Sequence, residues 1–247
     1  HSREFEQINH YVIGNDIRSI NWKATARHHE LMVNQYQDET SQNIYSLIDM
    51  SRNMQLPFNG LTLLDYAINA TLVISDVAVK KYDKAGLLTF SNKMATYVPA
   101  AAQIRQIQKI MDALYNQRTD FKEASFEMLY VQISHLIHGR SLLFLYTNFQ
   151  EISQLRRQLK YLRAINKFHL LVVIIFENHE LTDFAMQKSK RSEQIYQKAI
   201  AAQFVLEKQQ IIKELNHNGI YTILTRPENL SIDTLNKYLE LKSEGLI

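Results

Sequence analysis

Chemistry in this 247-residue chain concentrates at Asp49, Ser51 and Asn53, three oxygen-bearing side chains on alternate positions just after the apolar run 44–48. Tyr45, Leu47 and Ile48 read as a buried parallel strand, so the three leave its carboxyl end together. In a doubly wound sheet that end borders the crevice where ligands bind. One carboxylate beside neutral oxygens can begin a shell for a hard cation such as Mg2+. The same residues can instead close the loop as a neutral hydrogen-bonded network in which Asp49 accepts backbone N–H groups.

Other chemistry is sparse. No G-x-x-x-x-G-K-[ST], G-x-G-x-x-G or G-x-S-x-G string occurs, and only six glycines serve the whole chain. His135 and His138 lie three apart and His28 and His29 are adjacent, but no H-E-x-x-H accompanies them, so they read as surface or helix-cap residues. The absence of cysteine excludes disulfides, thiol catalysis and thiolate metal sites, and suits a reducing compartment. A net charge of +3, with both signs well mixed, argues against a dedicated nucleic-acid surface. The basic run Lys188-Ser189-Lys190-Arg191 reads as a solvated helix start.

The elements that must position these residues follow from periodicity. Residues 1–40 are rich in polar side chains and hold the only tryptophan. Within them, 11–16 reads as an extended piece closing in a turn. Asn15 or Asp16 then caps one short helix through Ile17, Ile20, Trp22, Ala24 and Ala26, and a strand follows over 31–36. Trp22 is expected to be buried, with Arg18 or Arg27 pinning the segment to the main domain through planar contacts. Residues 61–81 are apolar nearly all round, as a buried helix is, and Asp65, Asn69 and Asp76 interrupt any membrane-spanning pattern. A hairpin of 85–90 with 94–98 is stopped by Pro99 and followed by a helix within 101–115. A helix through Phe126 and Ile137 is capped by Gly139, and 141–147 is a strand. After a helix through Leu155, Leu159 and Leu162, residues 170–175 form a central parallel strand covered on both faces. A helix over 192–216, a strand over 220–225 and a helix capped by Ser231 complete the chain. The alternation predicts a doubly wound α/β domain over 41–247, with right-handed crossovers and helices on both faces, preceded by an N-terminal extension over 1–40 that packs on it. A start at His1 rather than methionine is the expectation for a fragment of a longer protein.

One stretch is far more specific than periodicity. The string Tyr11-x-x-Gly14-Asn15-Asp16-Ile17-Arg18-x-Ile20-Asn21-Trp22-Lys23-Ala24-Thr25-Ala26-Arg27, with Leu31-x-Val33 soon after, resembles the signature of the bacterial family called domain of unknown function 58. In that family the block precedes a von Willebrand factor A-like domain, and Asp49-x-Ser51-x-Asn53-Met54 is similar to the D-x-S-x-S-M string of its metal-ion-dependent adhesion site. The resemblance implies a mainly parallel sheet with one antiparallel edge strand, and places the strand ending at Asp49 beside the strand ending at Thr147. It also implies a fourth site residue, Asn148, where the family has a second aspartate. Asn15, Asn21, Asn53 and Asn148 all depart from the family pattern. Asp49, Ser51, Asn53 and Asn148 are therefore expected to form a degenerate metal site, with Mg2+ bound weakly or not at all. Gly14, Asp16, Arg18, Trp22 and Arg27 are the signature residues available for docking.

Three functions are compatible with these residues. The resemblance implies a non-catalytic adaptor working with a MoxR-type AAA+ ATPase in the assembly or maturation of other proteins, on the cytoplasmic side of a membrane to which an upstream segment tethers it. A metal-dependent hydrolase built on Asp49 would need a second carboxylate or a paired base that no motif supplies. A structural membrane-surface protein with an inactive site is the third.

Overall fold

The computed structural model describes residues 3–28, 30–38, 41–115, 117–119, 122–177 and 192–247. His29 and the basic run at Lys188–Arg191 lie outside the described residues. The chain divides into two compact units, His1–Ser41 and Gln42–Ile247.

In the first unit β1 (Arg3–His10) pairs antiparallel with β2 (Met32–Asp38), with a bulge between Phe5 and Gln7. β1 is unanticipated by the sequence reading, because its charged and amide residues carry no clean alternation. Between the strands, the Asp16 carboxylate accepts the Arg18 N–H at 3.0 Å and caps a 3-10 turn over Ile17–Ser19. Where one helix was expected, the chain makes two short pieces. Asn21 is the reason: its Oδ1 accepts the Ala24 N–H at 2.9 Å and starts α1 (Trp22–His28), while its Nδ2 donates to Asn34 Oδ1 at 2.8 Å on β2. An aspartate at this position could cap the helix but not donate to Asn34. Trp22 does not pack beneath anything in its unit. It is 68% exposed, because a seven-residue helix buries only Ala24.

The second unit is a six-stranded sheet between two layers of helices. Its strands are β3 (Asn43–Asp49), β6 (Lys84–Phe90), β7 (Met94–Ala101), β8 (Leu142–Tyr146), β9 (Leu170–Phe176) and β10 (Tyr221–Thr225), in the order β10-β9-β8-β3-β6-β7. All neighbours are parallel except β6 and β7. Two short strands, β4 (Pro57–Phe58) and β5 (Leu61–Thr62), form a separate hairpin. Among the described residues the α-helices of this unit are α2 (Leu63–Lys80), α3 (Arg105–Leu114), α4 (Phe126–Leu136), α5 (Ile152–Phe168), α6 (Ser192–His217) and α7 (Leu230–Ser243).

Period-two alternation sorts each strand between the layers. Ile44 and Ile48 of β3, with Phe144 and Tyr146 of β8, join a core with α2, α3 and α7; Tyr45 and Leu47, with Leu143 and Leu145, join a second core with α4, α5 and α6. The run Leu170–Phe176 is buried throughout, as a central strand covered on both faces must be. α2 begins with a reciprocal capping box between Thr62 and Asp65.

Three boundaries differ from expectation. Pro99 does not stop β7, which runs on to Ala101; as an edge strand it has a side without ladder partners, where the missing N–H costs nothing. Ser231 does not cap α7, which is entered through a 3-10 turn over Pro227–Asn229 and has no side-chain cap. The cap of α4 is Ile137, and Gly139, at φ +77°, turns the chain two residues later.

Candidate functional site

The strand order reverses between β3 and β8. β3 leads outward to β6 and β8 to β9, and this is the point at which doubly wound sheets open a crevice at their carboxyl edge. The pairing Ile48↔Tyr146 brings Asp49 and Thr147 out of the sheet side by side. Thr147 donates its hydroxyl to Asp49 Oδ2 at 2.7 Å, and the Ser51 N–H donates to Asp49 Oδ1 at 2.8 Å. Both carboxylate oxygens are thus engaged inside the protein. Burial pushes the Asp49 carboxyl above the usual carboxylate range, and the hydrogen bonds from Ser51 and Thr147 oppose that shift.

The structure brings all four residues of the expected metal set to this edge. Asp49, Asn53 and Asn148 line one small crevice together with Arg52, Glu123 and Gln154, and Ser51 lies in the loop between Asp49 and Asn53. Ser51 Oγ is buried without a hydrogen-bond partner. Asn148 donates from Nδ2 to the Asn53 carbonyl at 3.2 Å. Its Oδ1 accepts from Lys208 Nζ at 2.6 Å, and the same ammonium donates to the Phe149 carbonyl at 2.6 Å. Burial pulls the Lys208 amine down to about 8, which leaves it mostly protonated at neutral pH. These donors do not fit a divalent-cation shell. The set holds one carboxylate, each oxygen of which already accepts a hydrogen bond inside the protein, and the Asn148 amide oxygen is held by an ammonium. Among the described residues, no group of three or more His, Asp or Glu side chains could hold a metal.

Lys208 is the site residue that the sequence reading missed, and a signal for it exists. On α6 it stands at a helical interval from Ala201, Ile211 and Leu215, all of them buried, so a lysine occupies a core-facing position. Beside it lies a cavity of about 490 Å3 whose walls are mostly apolar, including Phe58, Leu63, Phe176, Phe204 and Leu224, with Asn148 and Lys208 among its polar members. His135 and His138 are exposed on and just beyond α4 and are not among the residues lining either pocket. The five signature residues Gly14, Asp16, Arg18, Trp22 and Arg27 are all exposed in the first unit.

A 3-2-1-4-5-6 strand order with one antiparallel edge strand, and an Asp-x-Ser-x-Asn loop at its switch point, define a von Willebrand A-like α/β domain. Residues 7–193 match the family described as protein of unknown function DUF58, and the chain belongs to it. Among solved structures it is similar to the PilB minor pilin from Streptococcus sanguinis, at TM-score 0.56 and 9% identity over 88% of this chain and 65% of that one. It is also similar to the SpRpn10 VWA domain, at TM-score 0.46 and 13% identity over 79% and 94%. BatB from Bacteroides thetaiotaomicron gives TM-score 0.48 and 10% identity over 83% and 100%. At such identities these likenesses concern the fold alone. No protein of curated function matches the chain. No described helix is long and apolar enough to cross a membrane.

Proposed function

We propose that this chain is a non-catalytic interaction module that works with a MoxR-type AAA+ ATPase, on the cytoplasmic side of a membrane, in the assembly or maturation of other proteins. The observation that carries the reading is the exposure of apolar side chains in the signature stretch. Ile13 is 96% exposed, and Val12, Ile17 and Trp22 are each more than 60% exposed. Large apolar residues clustered in one short exposed stretch mark a contact surface, and Arg18 and Arg27 add planar donors suited to carboxylates on a partner. Within their own unit none of these groups is buried. A hydrolase reading has less support, since Glu123, the acid that lines the Asp49 crevice with it, is ion-paired to Arg52 at 3.2 Å.

The test is capture of a purified MoxR-type ATPase by the immobilised chain, with and without Mg2+. Wild type is expected to capture it. Trp22→Ala and Arg18→Ala are expected to lose capture roughly ten-fold or more, the effect of removing an interface hot spot. Because Trp22 is exposed, Trp22→Ala should shift folding stability by no more than about 0.5 kcal/mol. Undiminished capture by both variants would sink the docking surface. Hydrolytic turnover that survives purification and disappears in Asp49→Ala would replace the adaptor reading with the hydrolase.

A further inference from the structure

We infer that Lys208 supplies the cation of the sheet-edge site from within the chain, so that the crevice is held together without a divalent metal. The inference goes beyond the interaction reading and stands whether or not an ATPase is captured. Lys208 lies on the core-facing stripe of α6 and directs its ammonium at the two oxygens where β8 ends, Asn148 Oδ1 and the Phe149 carbonyl, each at 2.6 Å. Charge-assisted bonds of that length are strong, and a core-facing ammonium needs such partners. Asn148 passes the connection on through Nδ2 to the Asn53 carbonyl, so one continuous chain of hydrogen bonds runs from α6 across the end of β8 to the loop after β3. Asp49 and Thr147 close the other side of that loop.

This arrangement competes directly with a metal. A Mg2+ ion taking Asn148 Oδ1 at its usual length of about 2.1 Å could lie no more than about 4.7 Å from an ammonium held at 2.6 Å from the same oxygen. A divalent and a monovalent cation so close repel strongly, even with the screening typical of protein sites. The amide at 148 suits an ammonium already in place. A carboxylate there would pair with Lys208 before it could serve an external ion.

The test is calorimetric titration of Mg2+ and Mn2+ into wild type, N148D, N148D/K208M and N148D/K208R, together with thermal melts of wild type in EDTA. Wild type, N148D and N148D/K208R are expected to bind neither ion appreciably at millimolar concentrations. N148D/K208M should bind roughly ten-fold or more tighter than N148D, because it has two carboxylates and no internal cation. EDTA should leave the wild-type melting temperature unchanged. If the methionine variant does not fold, N148D/K208Q takes its place in the same titration. The inference is overturned if N148D alone gains as much affinity as the double variant, if wild type binds Mg2+ at physiological concentration, or if EDTA lowers its melting temperature. No partner enters this titration, so its failure is distinguishable from failure of the adaptor reading.

Discussion

Asp83→Ala is expected to destabilise the second unit by about 3–5 kcal/mol, the cost of removing one partner from a buried, hydrogen-bonded ion pair. Asp83 is 1% exposed, between the end of α2 and the start of β6. Its Oδ1 accepts the Gln42 N–H at 3.0 Å, and its Oδ2 accepts both the Tyr238 hydroxyl and the Lys242 ammonium, the latter at 3.0 Å. One carboxylate therefore fastens the entry to β3 and the last helix of the chain to the same corner of the sheet. Alanine takes that acceptor from a fully buried hydroxyl and a mostly buried ammonium at once. Tyr238→Phe removes the hydroxyl donated to Asp83 and leaves the Lys242 pair in place, and it should cost only about 1 kcal/mol. Urea unfolding with an unchanged slope measures both. A loss below about 1 kcal/mol for Asp83→Ala would show that the corner is held by packing alone.

Gly86→Ala is the second large effect, on the order of 1–3 kcal/mol, the usual range for overpacking. Gly86 pairs with Tyr45 in the β3–β6 ladder, and a Cβ at position 86 would lie 2.3 Å from Tyr45 Cε1 and 2.5 Å from Cδ1. The ring cannot simply swing aside. It stacks on Tyr97, with centroids 6.3 Å apart and planes 12° from parallel, and its hydroxyl accepts the Ala100 N–H at 3.1 Å. The clash is specific to that ring, so Gly86→Ala should cost little further when Tyr45 is already alanine. Thermal melts of the two single variants and the double variant test this. Strict additivity would mean that the ring is not the obstacle.

Much of the fold is legible in the sequence, because burial imposes periods that a reader can count. The all-apolar run at 170–176 has to be covered on both faces, and 61–81 had to be a buried helix. Element ends were less legible. Whether Pro99 breaks a strand depends on whether its N–H faces a partner, and that depends on β7 lying at the sheet edge. Trp22 misled for a related reason: large aromatics are usually core, but a helix of seven residues offers too little surface to cover one.

What the sequence determined by itself is the class of the protein. The strand–helix alternation and the loop after Ile48 specify a doubly wound sheet with oxygen side chains at its switch point, and the string from Tyr11 to Arg27 specifies the family. What only the tertiary structure decided is which groups meet at that point. Asn148 finds Lys208 sixty positions later, on a helix from another layer, and Asp49 finds the hydroxyl of Thr147 just past the neighbouring strand in addition to the Ser51 N–H of its own loop. Periodicity follows from burial averaged along one element. The partner of a single polar atom follows from how two elements are rotated and docked, and a core-facing lysine says only that a partner must exist.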